Sequence, residues 1–318
     1  MTLTSPSSNT VFFFKKSLFE FYNLCWMKWK LLVFIAASCY GILSTLVKLA
    51  YEDGFDLADV VYAQIGTGAI LLWILVLIRR LKGKPTGIQA ANWWKVALSG
   101  IPISMTSLLY YESVKYLPAS IAILGLFQFV WIGVVLDAIA TRKMPSLIKI
   151  VSVLILMGGT VLAIGIWDNP SVLATLPAKG IIYGFLSGLS YALFIFFNDH
   201  YGSDMPAISA SALKVTGGAV LLLFILSPLP VVDNILTTDL MWQFGLPTAF
   251  LGMVIPTVFF AMAVPKVGVT LSSIISSVEL PMAVFFSSLI LEETVTFSQW
   301  LGVVVILLAI ALPQWVKK

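Results

Sequence analysis

SSIISSVELPMAVFFSSLILEE, residues 272–293, has the length and apolarity of a membrane crossing, yet it carries a carboxylate, Glu279, at its middle and Pro281 just after it. An ionisable side chain near the centre of a bilayer costs about 3 kcal/mol or more, so it is placed against a cavity or a polar partner. Pro281 removes one helix hydrogen bond, freeing the carbonyl of residue 277, and so bends or breaks the helix beside the acid. Ser272, Ser276, Glu279 and Ala283 share one face at helical spacing, a narrow small-and-polar stripe. Two readings stand. Either the stripe lines a cavity whose acid holds a proton or a substrate amine, or Glu279 is a neutral acid bonded to a neighbouring helix.

The rest of the chain is of the same kind. Its 318 residues are 59% hydrophobic and 11% charged, far too apolar for a surface that meets water. The apolar residues come in runs of about twenty, long enough to cross the hydrocarbon core as helices. Ten such spans are expected, at 31–51, 57–78, 95–112, 119–140, 147–167, 180–198, 207–227, 242–263, 270–290 and 298–315. Cys25 and Cys39 give neither a disulfide framework nor a metal spacing. Met27-Lys28-Trp29-Lys30 reads as a natural beginning for the first span, which makes residues 1–27 an extension and Met27 a candidate start of translation.

Basic residues fix an expected orientation, because cytoplasmic loops collect Lys and Arg. With the N-terminus inside, the inner segments hold Lys15, Lys16, Lys28, Lys30, Arg79, Arg80, Lys82, Lys84, Lys95, Arg142, Lys143, Lys149, Lys266, Lys317 and Lys318. Outer loops hold Lys115 and Lys179, and collect acids such as Glu52, Asp53, Asp56, Glu112, Asp168, Asp233, Asp239, Glu292 and Glu293. Both termini are therefore expected in the cytoplasm of a cell whose plasma or inner membrane the chain crosses many times.

A shift of 151 residues lays Phe34 on Phe185, Tyr40 on Tyr191, Lys115 on Lys266 and Gln128 on Glu279. It also lays spans 1–5 on spans 6–10. Five is odd, so the second half enters from the opposite side and its loops must carry the opposite charge bias. Arg142-Lys143 falling on Glu293-Thr294 is that sign change. The expected fold is all-α and membrane-integral, ten transmembrane helices as an inverted five-plus-five repeat, with halves at 28–168 and 169–318.

Tyr40-Gly41 with Lys48 beyond it, the turn KYLPASIA at 115–122, and the ordered series of Glu279, Pro281, LEE at 291–293 and QWLG at 299–302 carry a resemblance. Over about residues 28–316 the chain resembles the EamA-type transporters of the drug/metabolite transporter superfamily. It departs from their usual pattern at GLFQFVWIG, 125–133, where a mid-helix proline is common, and at TRK, 141–143, where an acid is common. The resemblance implies transport of small metabolites, amino acids or toxic amphipathic compounds among them, with export favoured over import.

Gln128, as the repeat mate of Glu279, is a candidate orienting group with Trp131 beside it; the alternative is an interhelical hydrogen bond that serves packing. Tyr40 and Tyr191, repeat mates next to Gly41 and Ala192, are candidates for the wall of a central site. Lys48 can snorkel outward, and Lys214, two turns into its span, either pairs with an acid, holds an anionic group or snorkels. Asp137 is expected near the inner surface with Arg142, Lys143 or Lys149. Trp93, Trp94, Trp167, Trp242 and Trp300 near span ends read as interfacial anchors. Gly100 and Pro102, and Gly245, Pro247, Gly252 and Pro256, mark spans 3 and 8 as bending gates beside Pro281.

One histidine, His200, and no phosphate loop leave no enzyme signature, metal site, cofactor or nucleic-acid partner to expect. The expected activity is secondary transport, with the bilayer, a small molecule and protons as the expected partners of the chain. The alternatives are an uncoupled facilitator or exchanger of an anionic metabolite, such as a phosphorylated compound or nucleotide sugar, and a membrane protein without transport.

Overall fold

The computed structural model describes residues 8–88, 92–117, 119–165, 176–226, 240–292 and 294–315, and only the backbone of 8–25, 119, 120, 314 and 315. Trp167, Asp168, Asp233, Asp239, Glu293, Lys317 and Lys318, to which the sequence gives loop or interfacial roles, lie outside the described residues.

Every described element is helical. α1 runs from Ser8–Glu52 without a break at Met27, and α2 covers Leu57–Leu81. α3 is made of Trp93–Leu98 and Ile101–Tyr116, and α4 of Ala119–Leu126 and Phe129–Thr141. α5 is Leu147–Ala163, α6 Ala178–His200 and α7 Ala207–Ile225. α8 covers Leu240–Val267, α9 is Val269–Ser276 followed by Glu279–Ile290, and α10 is Phe297–Trp315. Seven of these are long and apolar enough to cross a membrane unaided. α5 and α10 are shorter, and α3 is divided where Gly100 and Pro102 interrupt its hydrogen bonds. Large apolar side chains such as Ile70, Leu77, Leu154, Phe224, Leu289 and Leu308 point out of the bundle. In water that surface would drive aggregation; in hydrocarbon it is the required one.

The packing is that of two interlocked halves. α1 lies on α8 and α9, and α6 lies in the same way on α3 and α4; α2 meets α7, α4 meets α9, and α5 meets α10. Exchanging helices 1–5 with 6–10 reproduces the pattern, as an inverted repeat requires.

The repeat also reaches into local geometry. α4 breaks at Phe127–Gln128 and α9 at Ser277–Val278, and both end on a left-handed residue of φ 52°, Arg142 and Glu292. A non-glycine residue pays for that conformation, so its recurrence marks one shared stop. These features coincide at a shift of 150, not 151. The counterpart of Glu279 is therefore Phe129, and Gln128 falls on Val278. One residue of slip turns a helical position by about 100°, which decides where Gln128 points.

The two breaks have different causes. In α9 Pro281 cannot donate to the carbonyl of residue 277, and the helix opens there. α4 has no proline at the matching place. Instead Gly188 of α6 lies against the Gly125 and Leu126 carbonyls, where a Cβ would come within 2.6 and 2.7 Å. Gly41 of α1 meets the Glu279 carbonyl of α9 in the same manner, at 2.6 Å. α8 is loosened differently, with wide turns at Leu240–Gly245 and Phe250–Val254, the second just before Pro256.

Candidate functional site

A cavity opens between the halves at the end where α1 and α9 finish and α10 begins. Its outer vestibule, about 570 Å³, is lined by apolar Leu117, Ile164, Val284 and Val295 with Lys48, Tyr51 and Gln299. It narrows to an inner chamber of about 40 Å³ whose walls include Tyr40, Thr106, Ser107, Leu126, Tyr191 and Glu279. Ser44, Tyr110, Tyr111, Ile123 and Ala283 line both parts, so the two adjoin.

Glu279 is 7% exposed and is the first residue after the break in α9. Glu279 stands in the first turn of the second segment, so the positive end of that segment's dipole lies beside the carboxyl. Among the described residues no Lys or Arg lines the chamber beside Glu279. Its Oε2 has no hydrogen-bond partner, and neither do the hydroxyls of Tyr40 and Tyr191. Tyr191 faces the Glu279 carboxyl closely enough to couple with it, short of a hydrogen bond of standard geometry. Three unpaired polar atoms around one small space are costly unless water or a ligand completes them.

Below the chamber the path is blocked. Tyr191 packs on Phe129 with ring centroids 4.5 Å apart, on Tyr40 at 5.7 Å and on Phe260 at 6.5 Å, and Phe260 meets Phe194 at 5.6 Å. On the far side of this plug the second segment of α4 is joined to the first segment of α9. The Thr270 hydroxyl donates to the Asp137 carboxylate, and Gly133 sits against the Ser273 hydroxyl. Ser272, Ser273 and Ser276 are fully buried there, their hydroxyls without partners.

Of the residues the sequence singles out, the structure brings Glu279, Tyr40 and Tyr191 together at the chamber. Gln128 and Trp131 are elsewhere, bonded to each other on the outward face of α4, with Trp131 Nε1 donating to Gln128 Oε1 at 2.8 Å. Lys214 is sealed on the blocked side, 1% exposed, its Nζ donating to Asn198 Oδ1 at 2.8 Å. Asp137 lies nine residues beyond Gln128 and hence on the other side of α4, facing α9; its partner is Thr270 rather than a basic residue. The proposed bending points sit at real irregularities. Pro102 begins the second part of α3, Pro256 follows a wide turn in α8, and Pro281 follows the break in α9. Gly252 lets α8 press on the Gln64 side chain of α2.

Tyr110 and Tyr111, whose depth along their span the sequence places level with Tyr40 and Tyr191, line the chamber, and Tyr110 matches Phe260 of the plug at the corrected shift. Buried Gln64, which accepts a hydrogen bond from the Tyr111 hydroxyl at 3.1 Å, likewise matches Lys214. Among the described residues no group of three or more His, Cys, Asp or Glu could hold a metal ion.

Comparison with known proteins points the same way. The chain is 26% identical over 193 residues to the uncharacterized transporter YcbK of Bacillus subtilis (strain 168), a match that takes in 60% of this chain and 61% of that protein. A solved crystal structure of a protein superposes with a TM-score of 0.67 over 91% of this chain and 98% of the other, at 14% identity, which is a likeness of fold. The model of the EamA-like transporter family matches twice, at residues 27–165 and 178–313, once in each of the interlocked halves. With a multi-pass bundle and a polar chamber between two such halves, the chain belongs to the EamA-like transporter family.

Proposed function

We propose that the protein is a secondary active exporter of small amphipathic or zwitterionic metabolites, working by alternating access between halves 28–168 and 169–318. The observation that carries this is the Glu279 chamber, open on one side and sealed on the other by the same two helices. With the termini in the cytoplasm of the plasma or inner membrane, as the basic loops favour, the open side is the outside.

In the opposite state α4 and α9 exchange roles. Ile123 and Ala283, the counterparts of Ser273 and Gly133 at a shift of 150, close together over the outer vestibule. Thr270 and Asp137 separate, and the Ser272, Ser273 and Ser276 hydroxyls become the wall of an inner cavity. Glu279 stays between the two openings, where one carboxyl can take a proton from one side or a cationic group from the other. That exclusive choice is what couples a proton gradient to transport. Tyr40 and Tyr191 line the contact between halves, and Pro281, Pro256, Gly252 and Pro102 sit where the helices flex. The alternative of an uncoupled anion exchanger has only Lys48 to support it at the open cavity, since Lys214 is sealed away.

The test is metabolite profiling of the medium of cells that overexpress the wild type, Glu279→Gln or an empty vector. A few related compounds should rise with the wild type alone. Media alike in all three cases overturn the export reading.

A further inference from the structure

Resting on the transporter reading, we propose that the chamber ligand is an amphipathic primary amine, its ammonium at Glu279 and its apolar body in the vestibule, rather than an α-amino acid or a quaternary ammonium. This commits to one part of the broader class above, and three features of the cavity carry it.

The first is charge. The chamber offers a carboxylate and no cationic side chain. The lysine that lines the cavity, Lys48, lies eight residues along α1 from Tyr40, about 12 Å further out at the helical rise. An α-amino acid whose ammonium reached Glu279 would hold its own carboxylate two bonds away, against Glu279 and with no counter-charge. Two carboxylates sharing a buried site repel strongly. An amine without that carboxylate meets only the attraction.

The second is the set of unpaired atoms. Among the described residues Glu279 Oε2, Tyr40 Oη and Tyr191 Oη are buried around the chamber without a hydrogen bond of standard geometry, Tyr191 Oη already facing the carboxyl. A primary ammonium brings three N–H donors, enough for the carboxylate and one hydroxyl on each side. The faces of the tyrosine rings add a favourable surface for a cation. A quaternary ammonium has no N–H to give and leaves all three atoms as they are.

The third is size. A chamber of about 40 Å³ is small beside the vestibule. A terminal CH₂–NH₃⁺ is the slimmest cationic end it could take, and a trimethylammonium, with a nitrogen and three methyls around it, is the bulkier one. The vestibule, about 570 Å³ and walled by Leu117, Ile164, Leu280, Val284 and Val295, takes an alkyl or aryl body.

The experiment is isothermal titration calorimetry of the purified full chain, with n-hexylamine, N,N,N-trimethylhexylammonium and norleucine as probes. Hexylamine should bind saturably, and the other two about tenfold or more weakly. Glu279→Gln should lose hexylamine by a similar factor. Tyr110→Ala, which widens the chamber, should gain trimethylhexylammonium, a result that a misfolded variant cannot give. Equal binding of hexylamine and the trimethyl compound, tighter binding of norleucine, or wild-type affinity for hexylamine in Glu279→Gln overturns the proposal, as does no saturable binding of hexylamine. Norleucine bound and exchanged by proteoliposomes would sink the amine assignment while leaving the transporter reading standing. No counterflow of any probe that binds would sink transport itself.

Discussion

α4 and α9 touch at one end and are parted at the other. At the sealed end Gly133 rests on Ser273, and Thr270 is bonded to Asp137. At the open end Ile123 and Ala283 hold the same two places in the repeat, yet both line the cavity. The helices are broken at matching points, so each segment can tilt without its partner segment following. The sealed end is also polar, with three orphan serine hydroxyls and an acid, where the open end presents Ile123 and Ala283. Buried unsatisfied hydroxyls are a poor way to build a permanent seal. They are a reasonable way to build one that must open to water.

The largest effect should come from the group that both ends share. Glu279→Gln should abolish transport driven by an imposed pH gradient while leaving folding intact, read as the loss of gradient-driven uptake in proteoliposomes across a pH series. Unchanged transport at every pH would remove Glu279 from coupling and return it to a structural role.

Next come the two ends themselves. Cysteines at Asp137 and Thr270 should cross-link in the state described here, and cysteines at Ile123 and Ala283 only in the opposite one. Each bond should arrest transport, and an agent that raises one yield should lower the other. Yields that rise and fall together would break the comparison, because the ends would not alternate.

A smaller shift is expected when the sealed end is weakened without being removed. Thr270→Val deletes the donor to Asp137 and leaves a half-buried carboxylate without that bond. The loss of about 1–2 kcal/mol should move the balance of states about fivefold or more toward the inward-open form. Modification of a cysteine at Ser273 by a small thiol reagent should speed up accordingly; an unchanged rate would mean that this hydrogen bond does not hold the gate.

Much of this was legible in the chain, for identifiable reasons. Apolar runs must become helices in hydrocarbon, and an odd number of crossings per half forces inversion. Glu279 stood out because its burial is costly, and Pro281 announced the break that frames it. The break in α4 was hidden because no proline marks it, and the close approach of Gly188 to the carbonyls of Gly125 and Leu126 is a tertiary contact. The register was hidden because Tyr40 and Tyr191 match at a shift of 151 while the broken helices match at 150. One residue in a connection is invisible to a search for identities and turns a side chain by more than a quarter of a turn. Lys214 was misplaced for a related reason. Depth along α7 can be counted from the sequence, but whether that depth lies on the open or sealed side is a property of the conformation.

The smallest effect separates the two registers. At a shift of 151 Gln128 would stand opposite Glu279 and its loss would be severe. In the structure it accepts from Trp131 on the outward face of α4, and its amide nitrogen returns to the Leu124 carbonyl at 3.0 Å. Gln128→Leu then costs two hydrogen bonds, one to an exposed indole and one to the Leu124 carbonyl, about 0.6 kcal/mol each for such bonds in membrane segments. Transport should change by less than about eightfold, the most that about 1.2 kcal/mol can produce, and Trp131→Phe, which loses only the first bond, by less than about threefold. A fall of the size expected for Glu279→Gln would place Gln128 at the chamber in the working cycle. It would require α4 to rotate by about 100° about its own axis, one residue's worth, between the two states.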